Sequence, residues 1–386
     1  MNEEDPDALA ETEALYASLG VRPLINAGGA YTILGGSILS PTVRAAMDAA
    51  NHRFVEMKEL LESSGRIIAE MLDAEAAYVT AGAAASLALA VAACLTLDHP
   101  DYLERLPHTD GIPNEVLVQA NSRQKYDHIL TVPGAHIVDV GDAAGLTAQQ
   151  LRDAIGPKTA AIHYFAQSKA PGTPPIETVV EVAHAAGKPV IVDAAGLTYP
   201  IDNLRRFHRA GADLVCYAGK YFDAPQSTGL IVGRADLVEL AAVNGFVGFE
   251  TSGTLTIGRP MKVDRQEIAG AVIALREWLT MDHEGRLARY GERTDAILAA
   301  VRGAPGLTAR RISAIEEPLP TIRDGIRFEF ASEIRAAEVE TALLEGEPGI
   351  FVRRNANTFN LSVAFMNDGE AEIVARRLTE ILRTLD

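Results

Sequence analysis

Short apolar runs bounded by turn residues alternate, from residue 76 to residue 233, with stretches whose apolar positions recur every three or four residues. That alternation predicts a mostly parallel sheet with helices on its faces. Seven runs read as strands: AAYVTA (76–81), EVLVQ (115–119), AHIVDV (135–140), TAAIHYF (159–165), PVIVDAA (189–195), DLVCYA (213–218) and GLIVG (229–233). The helical period occupies 82–97, 147–154, 176–187 and 201–210. Too few residues separate the last two strands for a crossover helix, so 229–233 is expected antiparallel to its neighbour.

Beyond residue 258 the pattern changes. A continuous helical period runs from Arg265 to about Ala300, followed by strand, helix, strand and helix at 325–330, 335–345, 359–365 and 369–382. With 386 residues the chain is long enough for two domains and a large buried core. The expected organisation is an acidic tail and interface arm (1–59), a large α/β domain (60–258), and a connecting helix with a small α+β domain (259–386). Only the acidic first ten or so residues read as unstructured.

Residues 76–97 carry no charge and are numerous enough to span a bilayer. Gly82 interrupts them, however, and alanine gains little from membrane transfer, so a buried strand followed by a buried helix is expected and no membrane association. The opening MNEEDPDALAETEALY lacks both a basic and an apolar targeting region, which makes the cytoplasm the default. The 35 basic and 52 acidic side chains leave a formal charge of −17 with no basic run, so no nucleic-acid partner is expected. Cys94 and Cys216 sit among apolar residues with no second ligand at metal-binding spacing; they read as buried free thiols, and no metal is expected.

The chain has only seven lysines, and one stands apart. Lys58 lies among glutamates, Lys158 and Lys188 lie in turns, and Lys125 and Lys169 lie in loops. Lys220 directly follows the apolar strand DLVCYA and Gly219. A lysine there is partly desolvated, which favours the neutral amine that a Schiff-base nucleophile needs. Asp193 ends the strand KPVIVD, about one helix and one strand upstream, so both side chains emerge at the sheet edge where open α/β sheets bind ligands. An acid in that place can keep a pyridine nitrogen protonated, as pyridoxal phosphate sites require, or it can simply cap the next turn. In TAGAAAS (80–86) a strand passes through a glycine into an Ala-rich helix. The N–H groups of Gly82, Ala83 and Ala84 would then face a phosphate, although tight packing explains such a segment equally well.

Other residues are candidates on weaker grounds. In NSRQKYDHIL (121–130), Gln124, Tyr126 and His128 could flank a cofactor ring or substrate. His163 points into either the core or the cleft. Arg259 and Lys262 could reach a substrate phosphate or pair with Asp264 and Glu267.

Two further motifs narrow the chemistry. LINAGGAYTILGGSILSPTV (24–43) and GKYFDAPQSTGLIVGR (219–234) resemble the opening and the lysine loop of the selenocysteine synthase (seryl-tRNA selenium transferase) superfamily, and the resemblance continues through KPVIVDAAG and GRPMKVDRQEIAG. The TILGGS and VDAA forms look closer to the D-glucosaminate-6-phosphate ammonia-lyase branch. The resemblance implies the aspartate-aminotransferase-like fold (fold type I): a large domain with a mostly parallel seven-stranded sheet, and a small α+β domain at the C-terminus. It also implies pyridoxal 5'-phosphate on Lys220, Arg353 as the clamp of a substrate carboxylate, and a homodimer or higher oligomer. Gly36 replaces the arginine of the transferases' NLGR motif, and only some twenty residues, acidic on balance, precede the match, so tRNA is not the expected substrate. Tyr217 stands where the family places a phosphate-holding serine, so either Tyr217 supplies that hydroxyl or other donors hold the phosphate. The implied activity is a lyase that converts a hydroxylated amino acid, sugar-derived or phosphorylated, into a 2-keto acid and ammonia. A racemase, epimerase or aldolase needs the same Lys220 and Asp193, and a non-catalytic binding protein on this fold is a third possibility.

Overall fold

The structure is a computed structural model that describes residues 6–313 and 324–384. The chain forms two compact units, Leu39–Thr280 and the combination of Met1–Ile38 with Met281–Asp386. In chain order the strands are β1 (Leu24–Asn26), β2 (Ala76–Thr80), β3 (Glu115–Gln119), β4 (His136–Val140), β5 (Thr159–Phe165), β6 (Val190–Asp193) and β7 (Leu214–Ala218). They continue with β8 (Gly229–Gly233), β9 (Leu307–Ser313), β10 (Asp324–Phe330), β11 (Gly349–Phe351), β12 (Arg353–Asn355) and β13 (Thr358–Ser362).

The larger unit is built on a seven-stranded sheet of order β2-β8-β7-β6-β5-β3-β4. As the spacing predicted, β8 is antiparallel to both neighbours, and the other pairings are parallel. The carboxyl ends of β2, β7, β6, β5 and β3 therefore share one edge. Strands β6, β7 and β8 are buried throughout, as expected of continuous apolar runs covered on both faces. The uncharged segment forms β2 and the helix Gly82–Thr96, which is buried from Ala85 to Thr96 against the sheet. Its alanines let the helix lie close to β7 and β8. No helix among the described residues is long and apolar enough to cross a membrane.

The smaller unit holds an antiparallel sheet of order β12-β13-β10-β9 and a parallel pair, β1 with β11. Helices Glu333–Leu344, Glu370–Thr384 and His283–Ala300 bury their apolar stripes with Phe328, Phe330 and Phe359.

Three expectations need correction. The helical period from Arg265 is two helices, Arg265–Thr280 and His283–Ala300, because the Asp282 carboxylate caps the second by accepting the Gly285 N–H at 2.9 Å. The first of them packs with helices Pro41–Asn51 and Met57–Leu72 in the larger unit. The acidic start is helical over Pro6–Ser18, while residues 1–5 lie outside the described ones. Strand β9 was not anticipated, since its exposed arginines Arg310 and Arg311 hide the apolar alternation.

Candidate active site

Lys220 lies on the short turn Gly219–Phe222 that follows β7. The Gly219 N–H bonds the Thr228 carbonyl at 2.8 Å, and a Cβ on Gly219 would come within 2.1 Å of the Thr228 hydroxyl oxygen. Only glycine permits this approach, so the residue before the lysine is fixed by sterics. Burial lowers the Lys220 pKa, and Nζ lies 5.2 Å from the centre of the Tyr221 ring.

Asp193 ends β6 and pairs in register with Cys216 on β7, two positions before the strand end that leads into the lysine turn. The two candidate residues therefore emerge from adjacent strands at the same edge. Asp193 is 5 % exposed. One carboxylate oxygen accepts the Ala195 N–H at 3.1 Å, and the other accepts the Gln124 amide at 3.3 Å. Burial pushes its pKa up to about 6 against the opposing pull of those two donors, and the Asp127 charge adds to the rise. Among the described residues no cation pairs with it.

Gln124 thus serves the carboxylate. It is itself seated, since its N–H bonds Asp127 at 2.9 Å, and Asp127 pairs with Arg123 at 2.7 Å. Tyr126 is 57 % exposed, with the Lys125 ammonium 4.9 Å from its ring centre.

The helix Gly82–Thr96 begins at the same edge, and its N-cap, Ala81, offers no side-chain bond to the first-turn N–H groups. Gly82 has φ +87°, which glycine alone adopts freely. Gly229 of β8 pairs with Ala218 on one side and Thr80 on the other. At the usual strand spacing this puts the end of β7 about 10 Å from the end of β2. A Cβ on Gly229 would lie 2.5 Å from the Gly82 carbonyl carbon and 2.8 Å from the Ala83 nitrogen. The glycine lets the helix start rest against the sheet, with Gly82 and Ala83 half-buried and Ala84 exposed.

Other candidates fall elsewhere. Tyr217 is fully buried and donates its hydroxyl to the Asn203 carbonyl at 2.9 Å, so it does not supply the phosphate-holding hydroxyl. His163 is a core residue on β5 beside a cavity of about 10 Å³, lined also by Leu117, Leu151 and Val179. Burial lowers its pKa to about 4, so the ring is neutral, and its Nδ1 has no hydrogen-bond partner. Arg259 pairs at 2.7 Å with Glu250 and not with Asp264 or Glu267. Lys262 is exposed. In the smaller unit Arg354 is held by Glu340 at 3.0 Å, whereas Arg353 is exposed with its guanidinium 5.0 Å from the Tyr31 ring centre.

Sequence reasoning named Gly219 only as the residue before the lysine, and it missed Gly229 and the Arg123–Asp127 pair. A glycine at a strand start was the signal for the first, and opposite charges four residues apart were the signal for the second.

No family model matches the chain. D-glucosaminate-6-phosphate ammonia lyase of Salmonella typhimurium is 32 % identical, over 96 % of this chain and 98 % of that protein. A solved structure of D-glucosaminate-6-phosphate ammonia-lyase has a TM-score of 0.81 at 31 % identity, over 96 % of this chain and 98 % of the other. A Streptomyces 5'-C-glycyluridine monooxygenase-decarboxylase is 34 % identical, over 95 % and 92 %. L-seryl-tRNA(Sec) selenium transferase of Moorella thermoacetica is 27 % identical, over 98 % and 86 %. Serine palmitoyltransferase of Sphingomonas wittichii, with a TM-score of 0.59 at 16 % identity over 98 % and 97 %, shares the fold alone. Edge geometry and full-length similarity agree: the chain belongs to the selenocysteine synthase-like superfamily of pyridoxal-phosphate enzymes and has the aspartate-aminotransferase-like fold.

Proposed function

We propose that the protein is a pyridoxal-phosphate-dependent lyase that converts a phosphorylated, sugar-derived 2-amino-3-hydroxy acid into a 2-keto acid and ammonia. The observation that carries the reading is the placement of Lys220 and Asp193 on adjacent strand ends, with the open helix start at Gly82 across Gly229. These residues fit the cofactor. The first-turn N–H groups of Gly82, Ala83 and Ala84, unserved by any capping side chain, suit a phosphate. The buried, cation-free Asp193 suits a protonated ring nitrogen, and the partly desolvated Lys220 suits a carbonyl.

When bound, pyridoxal phosphate supplies a carbonyl that condenses with amines and a ring that accepts electron density from the substrate's Cα. The side chains do the rest. The Asp193 carboxylate holds a proton on the ring nitrogen, and Gln124 keeps that carboxylate oriented. Lys220 Nζ, released by the substrate amine, takes the Cα proton; its depressed pKa leaves more of it in the neutral, basic form. The ammonium so formed then protonates the departing 3-hydroxyl. Water leaves and is taken up again, so the net products are keto acid and ammonia.

Arg353, Arg259, Lys262 and Tyr126 are our candidates for substrate binding. Incubation with phosphorylated and unphosphorylated 2-amino-3-hydroxy acids, assayed for keto acid and ammonia, tests the reading. Inversion at Cα with neither product would support a racemase. The similarity to the Streptomyces enzyme favours a second reading, oxidative loss of a carboxylate. Oxygen uptake with carbon dioxide release, and no ammonia-linked dehydration, would select it.

We also propose a homo-oligomer in the cytoplasm. Phe54, 94 % exposed, and Leu255, 66 % exposed, support the first, and the two buried free cysteines support the second. Sedimentation as a monomer would refute the oligomer.

A further inference from the structure

The turn that carries Lys220 is held on both sides by bonds that the chemistry above does not use. Upstream, β7 ends in ladder bonds and Gly219 is tied to Thr228. Downstream, the Thr198 hydroxyl donates to the Tyr221 carbonyl at 2.5 Å. Thr198 is 3 % exposed, and its own carbonyl accepts the indole N–H of Trp278 at 2.9 Å. Trp278, itself buried, lies near the end of the helix Arg265–Thr280.

Thr198 stands five residues beyond Asp193 in the segment that follows β6. That segment is joined to β7 by the bonds Ala194 N–H to Cys216 carbonyl, 3.0 Å, and Ala218 N–H to Ala195 carbonyl, 3.1 Å. The ladder ends at Ala218. The Thr198 bond extends the same linkage past the lysine, from the strand that ends in the acid to the turn that carries the amine.

We propose that Thr198, seated by Trp278, is a positioning residue that fixes the backbone of Lys220 relative to Asp193. A lysine amine sits at the end of a flexible four-carbon stem. Its reach is defined only if the Cα from which it starts is fixed, and small misplacements of a reacting group cost large factors in rate. A buried hydroxyl bonded to the carbonyl next to the lysine supplies that definition without touching the substrate. The proposal rests on the reading of Lys220 as the cofactor lysine.

Wild type, Thr198→Val, Thr198→Ser and Trp278→Phe are compared in two measurements. Amide hydrogen exchange over residues 219–224 in cofactor-free protein reads the tether alone. Thr198→Val is expected to exchange about fivefold faster there, the factor that one ordinary hydrogen bond is worth, and Thr198→Ser to recover most of the protection. The rate of borohydride-trapped capture of pyridoxal phosphate on Lys220, followed by peptide mass spectrometry, reads the consequence. It should fall about fivefold in Thr198→Val, by less in Trp278→Phe, and return in Thr198→Ser. Unchanged exchange or capture in Thr198→Val overturns the proposal while leaving the cofactor site standing. A Thr198→Ser protein that behaves like the valine variant overturns it too, because the hydroxyl is then not the agent. Wild type that captures no pyridoxal phosphate on Lys220 overturns both this role and the proposed function.

Discussion

Asp193 and Asp213 are both carboxylates buried in the same sheet, one closing β6 and the other just before β7, and they are treated in opposite ways. Asp213, 4 % exposed, is bonded to Arg234 at 2.7 Å, to His184 Nε2 at 2.8 Å and to the Val190 N–H at 2.8 Å. Asp193 has one backbone N–H and one neutral amide. The first is satisfied within the protein and belongs to the architecture. The second has no cation among the described residues, and our reading is that one arrives with the ligand. Burial alone does not mark a functional acid; burial without a compensating charge does.

Exchanging the two residues' chemistry breaks or sharpens that contrast most strongly. Asp193→Asn should lower turnover by about 10²-fold or more with no loss of melting temperature. Asp213→Asn should cost about 2–3 kcal/mol of stability, because Arg234 loses its buried partner, with turnover per folded molecule unchanged. Calorimetry and steady-state kinetics read both. Equal kinetic losses in the two variants would dissolve the distinction. Next, Gly229→Ala should destabilise the protein by about 2 kcal/mol and weaken pyridoxal-phosphate affinity, since the new methyl displaces the helix start. A variant that binds the cofactor normally would remove that helix start from the site.

A third test uses pH on cofactor-free protein. The folded pKa of Asp193, about 6, lies above the ordinary carboxylate value, so the folded state keeps a proton that the unfolded chain has released. That stabilisation is complete below about pH 4 and is lost as pH rises through about 6. Wild type should therefore lose on the order of 2 kcal/mol relative to Asp193→Asn between those limits. His163, with its pKa lowered to about 4, acts in the opposite sense over an overlapping range, so the difference between the proteins is the quantity to measure. A flat difference would mean that Asp193 is better compensated than its neighbours imply. The smallest effect is expected from Tyr217→Phe, which should cost about 1 kcal/mol through the Asn203 carbonyl and leave cofactor capture unchanged. Reduced capture would restore Tyr217 to the site.

The sheet was legible because it depends on local pattern. Seven apolar runs became seven strands, and scarcity singled out Lys220 as a candidate. Features that depend on which face a strand presents were not legible. Tyr217 alternates with Cys216 and Ala218, and only the assembled sheet turns its hydroxyl toward Asn203. The same is true of His163, whose strand gives no hint whether position 163 meets core or cleft. The pairing of Gln124 with Asp193 spans 69 residues, a separation that no local pattern encodes.

Strand β8 runs against its neighbours, and this has a consequence for how the protein can change. Because the chain turns back directly after β7, the lysine rides on a tight connection between two ladders and not on a long crossover. The segments 121–131 and 194–200 lie outside the strands yet brace the same place, the first through Gln124 to Asp193 and the second through Thr198 to the Tyr221 carbonyl. With so little slack in the turn itself, any shift of the lysine has to pass through the loops that brace it.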